Sequence, residues 1–153
     1  MEFFFEIHQN LPREGPGDTA STRKALEMIT GLPERPAILD VGCGPGVQTR
    51  DLAQMTGGMV TAVDTHQPFL DRLQYQAEAE GLAGQIIPVN QSMKALDFPA
   101  ASFDVIWSEG AIYIMGFEEG LRVWKQLLKP GGWIAVTEAS WLKPHPPAEV
   151  RDF

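Results

Sequence analysis

Five short apolar runs recur along the chain, at residues 37–41, 59–63, 85–89, 103–108 and 133–137, and stretches with helical spacing separate them. This alternation is the strongest constraint on the fold, because strand–helix–strand units return their strands parallel and build an α/β architecture. The runs are nearly continuous in apolar residues rather than alternating apolar and polar. Strands read that way when helices cover both faces of the sheet. The intervening patterns predict a helix over 19–29 with Asp18 or Ser21 as N-cap, and a second from near Gln48 to the pair Gly57 and Gly58. A third runs from Pro68, suited to a first helical position, to Gly81, and a fourth over 118–129 places Leu121, Trp124 and Leu128 on one side. Pro130-Gly131-Gly132 supplies the stop for that last helix.

Composition narrows the function classes. A chain of 153 residues, 44% hydrophobic and 21% charged, suits one domain with its own core. A single cysteine makes no internal disulfide and builds no zinc site, so no metal is expected. The formal charge is −8 and no basic run stands out, which argues against nucleic acid and anionic membrane as partners. The apolar stretch 110–117 falls far short of the roughly 18 residues that cross a bilayer. The start, Met1-Glu2-Phe3-Phe4-Phe5-Glu6, has acids where a signal peptide would be apolar, and a cytoplasmic location is expected.

The most informative segment follows the first strand. Residues 37–41 run directly into Gly42, Gly44 and Gly46 and then into a helical pattern. Closely spaced glycines let the backbone turn sharply and let a ligand approach, while the helix start offers unpaired N–H groups. Val47 stands where a dinucleotide fingerprint places its third glycine, and no Gly-Lys-Ser/Thr follows to make a P-loop. Asp40, two residues before Gly42, suits a ligand carrying an ammonium or sulfonium charge better than a pyrophosphate. Asp64, at the end of the second strand, can accept from both hydroxyls of a ribose. A plain strand-to-helix turn, a solvated Asp64 and a nicotinamide-dependent oxidoreductase remain as alternatives.

The runs ILDVGCGPGVQT, VTAVD, FDVIWSEGA and LLKPGGWIAVTE resemble the class I S-adenosylmethionine-dependent methyltransferases, closest to the small-molecule enzymes related to ubiquinone-biosynthesis C-methyltransferases. The resemblance covers about 36–140. It implies a Rossmann-like doubly wound sheet of five parallel strands in the order 3-2-1-4-5, flanked by helices, with the final two strands of the usual seven absent. The family assigns Gly42, Gly44 and Gly46 to the methionine part of the cofactor, Asp40 to the loop and amino end, and Asp64 to the ribose. Cys43 lies among these positions as a filler of small volume rather than a nucleophile. Ser92 stands where relatives place an acid for the adenine amino group, with the backbone of Met93 beside it. Ser108 and Glu109 fall near the sulfonium and the methyl acceptor, Tyr113 toward the substrate, and His66 and Gln67 beside the adenosine.

The implied reaction transfers a methyl group to a small-molecule acceptor. Where the acceptor must lose a proton, Glu109 and His145 are the candidate bases. The resemblance divides the chain into an N-terminal segment, 1–35, whose residues 3–8 and 12–17 form a lid or pack on the sheet, a cofactor-binding core, 36–140, and a proline-rich tail, 141–153. No room remains in that tail for a helix and two strands, so the fifth strand is expected at an exposed edge. Either the chain is part of a longer enzyme, or a homodimer pairs that edge. A truncated or non-catalytic S-adenosylmethionine-binding module is the competing function.

Overall fold

The computed structural model describes Leu11, residues 13–142, Pro144 and residues 147–151. Among these residues five strands, β1 (Ala37–Val41), β2 (Met59–Asp64), β3 (Ile86–Asn90), β4 (Phe103–Glu109) and β5 (Leu128–Thr137), form a sheet in the order β3-β2-β1-β4-β5. Every pairing is parallel, as the alternating pattern requires. β1 is central, and the two-residue period of a strand sends its side chains to opposite faces. Ile38 joins a core with Leu52 of α2 (Val47–Thr56) and Leu73 of α3 (Gln67–Ala79), and the partly buried Ala25 and Leu26 of α1 (Thr19–Glu27) pack on the same side. Leu39 and Val41 join a second core with Ile106 and with Trp124 of α4 (Phe117–Trp124). Full burial of each such side chain is worth roughly 1.5–3 kcal/mol, enough to dictate which face each helix covers.

Asp18 is the cap of α1: its Oδ1 accepts from Ser21 N–H at 2.8 Å. Pro68 lies in the first turn of α3, as its ring favours, although the helix begins one residue earlier.

The fourth predicted helix needs correction. α4 ends at Trp124, a tight 3₁₀ turn carries Lys125–Leu127, and β5 begins at Leu128. Pro130-Gly131-Gly132 is therefore not a helix stop but a bulge inside the strand. Phe103 pairs with Leu128 and Val105 with Trp133, so a short step on β4 opposes a long one on β5. Proline lacks the N–H that a central strand would need, and Gly131 takes a left-handed φ of 80°; a bulge on an edge strand accommodates both. A single helical turn, α5 (Ala148–Arg151), was not expected from the tail. Among the described residues no strand pairs the outer edge of β5, no helix is long and apolar enough to cross a membrane, and no group of metal-ligating side chains assembles.

Candidate cofactor cleft

A cleft of about 430 Å³ opens at the carboxyl ends of β1, β2 and β4. Its floor is the loop between β1 and α2. Gly42, Gly44 and Gly46 all have positive φ, at 74°, 53° and 79°. The N–H groups of Gly42 and Cys43 both donate to the Val63 carbonyl, at 2.8 and 3.0 Å, which pins the loop to β2. The three glycines then divide their tasks. Gly42 and Gly44 line the cleft, and a Cβ on Gly42 would run into the Ala111 methyl. Gly46 caps α2, and a Cβ there would strike the Leu73 side chain, so it serves packing against α3.

Two carboxylates hold this floor from different sides. Asp64 lines the cleft; its Oδ2 accepts from Gly44 N–H and its Oδ1 from His66 N–H, each at 2.9 Å. Each oxygen keeps acceptor capacity for a further hydroxyl. Asp40 is fully buried beneath the loop, on the face that α2 covers. Its Oδ2 accepts from Thr49 Oγ1 at 2.6 Å and Gln48 Nε2 at 3.3 Å, while Oδ1 has no hydrogen-bond partner. Burial pushes the Asp40 carboxyl up to about 7, with the Glu109 and Asp64 charges adding to the rise and the Thr49 and Gln48 hydrogen bonds opposing it.

Glu109, at the end of β4, closes the far end of the cleft. Its carboxylate is almost excluded from solvent and takes an ion pair from Arg13. Thr22 Oγ1 and Trp107 Nε1 each donate to its Oε1 at 2.8 Å. Three elements thus meet on one side chain: the segment before α1, α1 itself and β4.

The methyltransferase domain family matches residues 38–132, well over half of the chain and the span that carries this cleft's floor and walls. The chain belongs to the class I S-adenosylmethionine-dependent methyltransferases. An uncharacterized methyltransferase, YodH of Bacillus subtilis strain 168, is 33% identical over 139 residues, covering 90% of this chain and 58% of YodH. The sterol 24-C-methyltransferase erg-4 of Neurospora crassa is 32% identical over 136 residues, 85% of this chain and 35% of the relative. A SAM-dependent methyltransferase from Thiobacillus denitrificans, solved in complex with S-adenosyl-L-homocysteine, matches with a TM-score of 0.82 at 26% identity, over 99% of this chain and 61% of that one. The chain spans less than two thirds of each of these proteins.

The cofactor of this family is S-adenosylmethionine, and the residues present fit it. The glycine floor leaves a space that side chains would fill and a carboxylate faces the cleft from the end of β2, whereas Asp40 lies below the loop and does not line the cleft. Ser92 and Met93 line the cleft beside Asp64, with the Ser92 hydroxyl accepting from Lys94 N–H at 3.3 Å and the Met93 carbonyl from Trp124 Nε1 at 3.3 Å. Tyr113 lines the opposite end and is 63% exposed, so it does not pack in the core.

Other expected residues sit elsewhere. Ser108 is fully buried and donates to the Val41 carbonyl at 2.9 Å, tying β4 to β1 rather than facing the cleft. Cys43 belongs to the core under α2 and α3, where burial and the neighbouring Asp40 and Asp64 charges push its thiol up, away from nucleophilic use. The His66 ring packs edge-on to Phe69, and Phe69 rather than His66 or Gln67 lines the cleft. His145 and the apolar start of the chain, residues 3–8, lie outside the described residues. Arg13 and Glu14 belong to the 12–17 stretch expected as part of a lid, but their individual contacts carry no sequence signal beyond a pair of charges set among proline and glycine.

Proposed function

We propose that this chain binds S-adenosylmethionine in the cleft above the glycine loop and transfers its methyl group to a small-molecule acceptor. The observation that carries the reading is the continuous cleft from Asp64 at the end of β2, across Gly42 and Gly44, to Glu109 and Gly110 at the end of β4. When bound, the cofactor would supply an electrophilic methyl group on a sulfonium sulfur. Asp64 would accept from ribose hydroxyls, and Ser92, Met93 and Phe69 would flank the adenine. Gly42 and Gly44 would admit the methionine chain.

The acceptor end is apolar at its rim, where Tyr113 and Ile114 stand exposed beside Gly110. That rim supports a small acceptor with an apolar body, and the sterol methyltransferases among the relatives supply a precedent for that class. Glu109 is committed to three donors, which makes it a scaffold rather than a base. The protein's contribution is then to align acceptor and methyl carbon, which suits an acceptor atom already nucleophilic.

Thermal-shift measurements with S-adenosylmethionine, S-adenosylhomocysteine and NAD test the reading. Both adenosyl ligands should raise the midpoint and NAD should not; stabilisation by NAD alone would overturn the reading. The competing reading is a module that binds the cofactor without turnover. Formation of S-adenosylhomocysteine by the isolated chain with any acceptor would remove it. We also infer a homodimer through the open edge of β5.

A further inference from the structure

Residues 13–17 cross the cleft mouth from the α3 side to the end of β4. On the α3 side Arg72 Nη1 donates to the Leu11 carbonyl at 2.8 Å. On the β4 side the Arg13 guanidinium pairs with Glu109 and reaches Thr22 Oγ1 at 3.4 Å. The two paired side chains are only 11% and 6% exposed, so the screening that weakens surface ion pairs is largely absent. The backbone follows Arg13 into the same seat. A Cβ on Gly15 would stand 3.4 Å from the Glu109 carbonyl oxygen, and one on Gly110 would stand 3.4 Å from Gly15 Cα. Glycines on both sides thus let the crossing settle directly on the strand end. Between its two fasteners the stem of Glu14 lies over the glycine loop, where a Cβ on Gly44 would stand 3.4 Å from Glu14 Cγ.

The crossing also divides two spaces. Glu14 and Gly15 line the cofactor cleft, Pro16 and Gly17 line an apolar cavity of about 410 Å³ between α1 and β5, and Glu109 lines both. Arg13 lines neither, so it acts on the cleft through the crossing rather than by touching a ligand. Thr22 and Trp107 also donate to Glu109, but they come from α1 and β4; among the described residues Arg13 is the side chain that ties the crossing to it. We propose that Arg13 is a positioning residue, whose pair with Glu109 holds residues 14 and 15 down over the glycine loop and so retains an adenosyl ligand bound beneath them. The role presupposes that the cleft is the adenosyl site. Removing one partner of a shielded charge pair acts chiefly on the rate of escape, and the two partners act as one unit.

Surface plasmon resonance with S-adenosylhomocysteine tests this, with the thermal midpoint of each ligand-free variant measured beside it. Arg13→Gln should release the ligand about tenfold faster or more, and Arg13→Lys should recover part of that loss. Glu109→Gln keeps acceptors for Thr22 and Trp107 but loses the ion pair, and should release the ligand faster too. The double variant should be no faster than the faster single one, because both substitutions remove the same interaction. Release rates unchanged in Arg13→Gln, whether or not its midpoint falls, would overturn the role of Arg13. So would single effects that multiply in the double variant. Wild type binding no S-adenosylhomocysteine would overturn the cleft assignment and this inference with it.

Discussion

Asp40 carries a charge that the fold does not readily accommodate. It is fully buried, one of its oxygens has no partner, and burial lifts its carboxyl to about 7. Its pKa is thus higher folded than unfolded, so the native state holds this proton more tightly between about pH 4 and 7. The group's contribution to stability is complete below about pH 4 and is lost as pH rises toward 7, by something on the order of 4 kcal/mol. Urea unfolding at pH 4.5 and 7.5 should show wild type losing more stability over that interval than Asp40→Asn. Equal losses would mean that Asp40 is ionised throughout. Asp40 and Asp64 were legible in the sequence because each sits at a fixed offset from a strand end. What they touch was not. Whether Asp40 faces ligand or helix depends on which face of β1 is covered by α2, and Glu14 meets Gly44 only through the tertiary fold.

Strands and helices were easier to read than their junctions. The five strands and the α1 cap follow from local patterns, since each run needs only its own side chains to declare a face. Pro130-Gly131-Gly132 misled because the same residues end helices and build bulges, and only the position of β5 at an edge decides between these. The bulge also brings backbone close to backbone: a Cβ on Gly132 would stand 2.9 Å from the Asp104 carbonyl oxygen and 3.0 Å from that of Lys129. Gly132→Ala should therefore cost roughly 1–3 kcal/mol, as overpacking does. Gly84→Ala is the control, since a Cβ there meets nothing within 4 Å. Thermal unfolding of the two variants checks this, and a Gly132→Ala midpoint equal to that of Gly84→Ala would place the β5 bulge elsewhere.

At the scale of the whole molecule, β5 is an outer strand of the described sheet. Its outer N–H and C=O groups pair with no other described strand, and Trp133 on it is 41% exposed. Such an edge is a template for another chain. Sedimentation should show concentration-dependent self-association that Trp133→Lys weakens; a monomer at all concentrations would contradict a dimer through this edge. The cleft does not depend on that edge, since its walls come from β1, β2, β4 and the segment before α1.

Asp64→Ala tests the proposed binding of an adenosyl ligand by Asp64 and the glycine floor. Calorimetry should show S-adenosylhomocysteine binding to wild type and weakened by about 1–3 kcal/mol in the variant. Wild-type affinity in Asp64→Ala would contradict it.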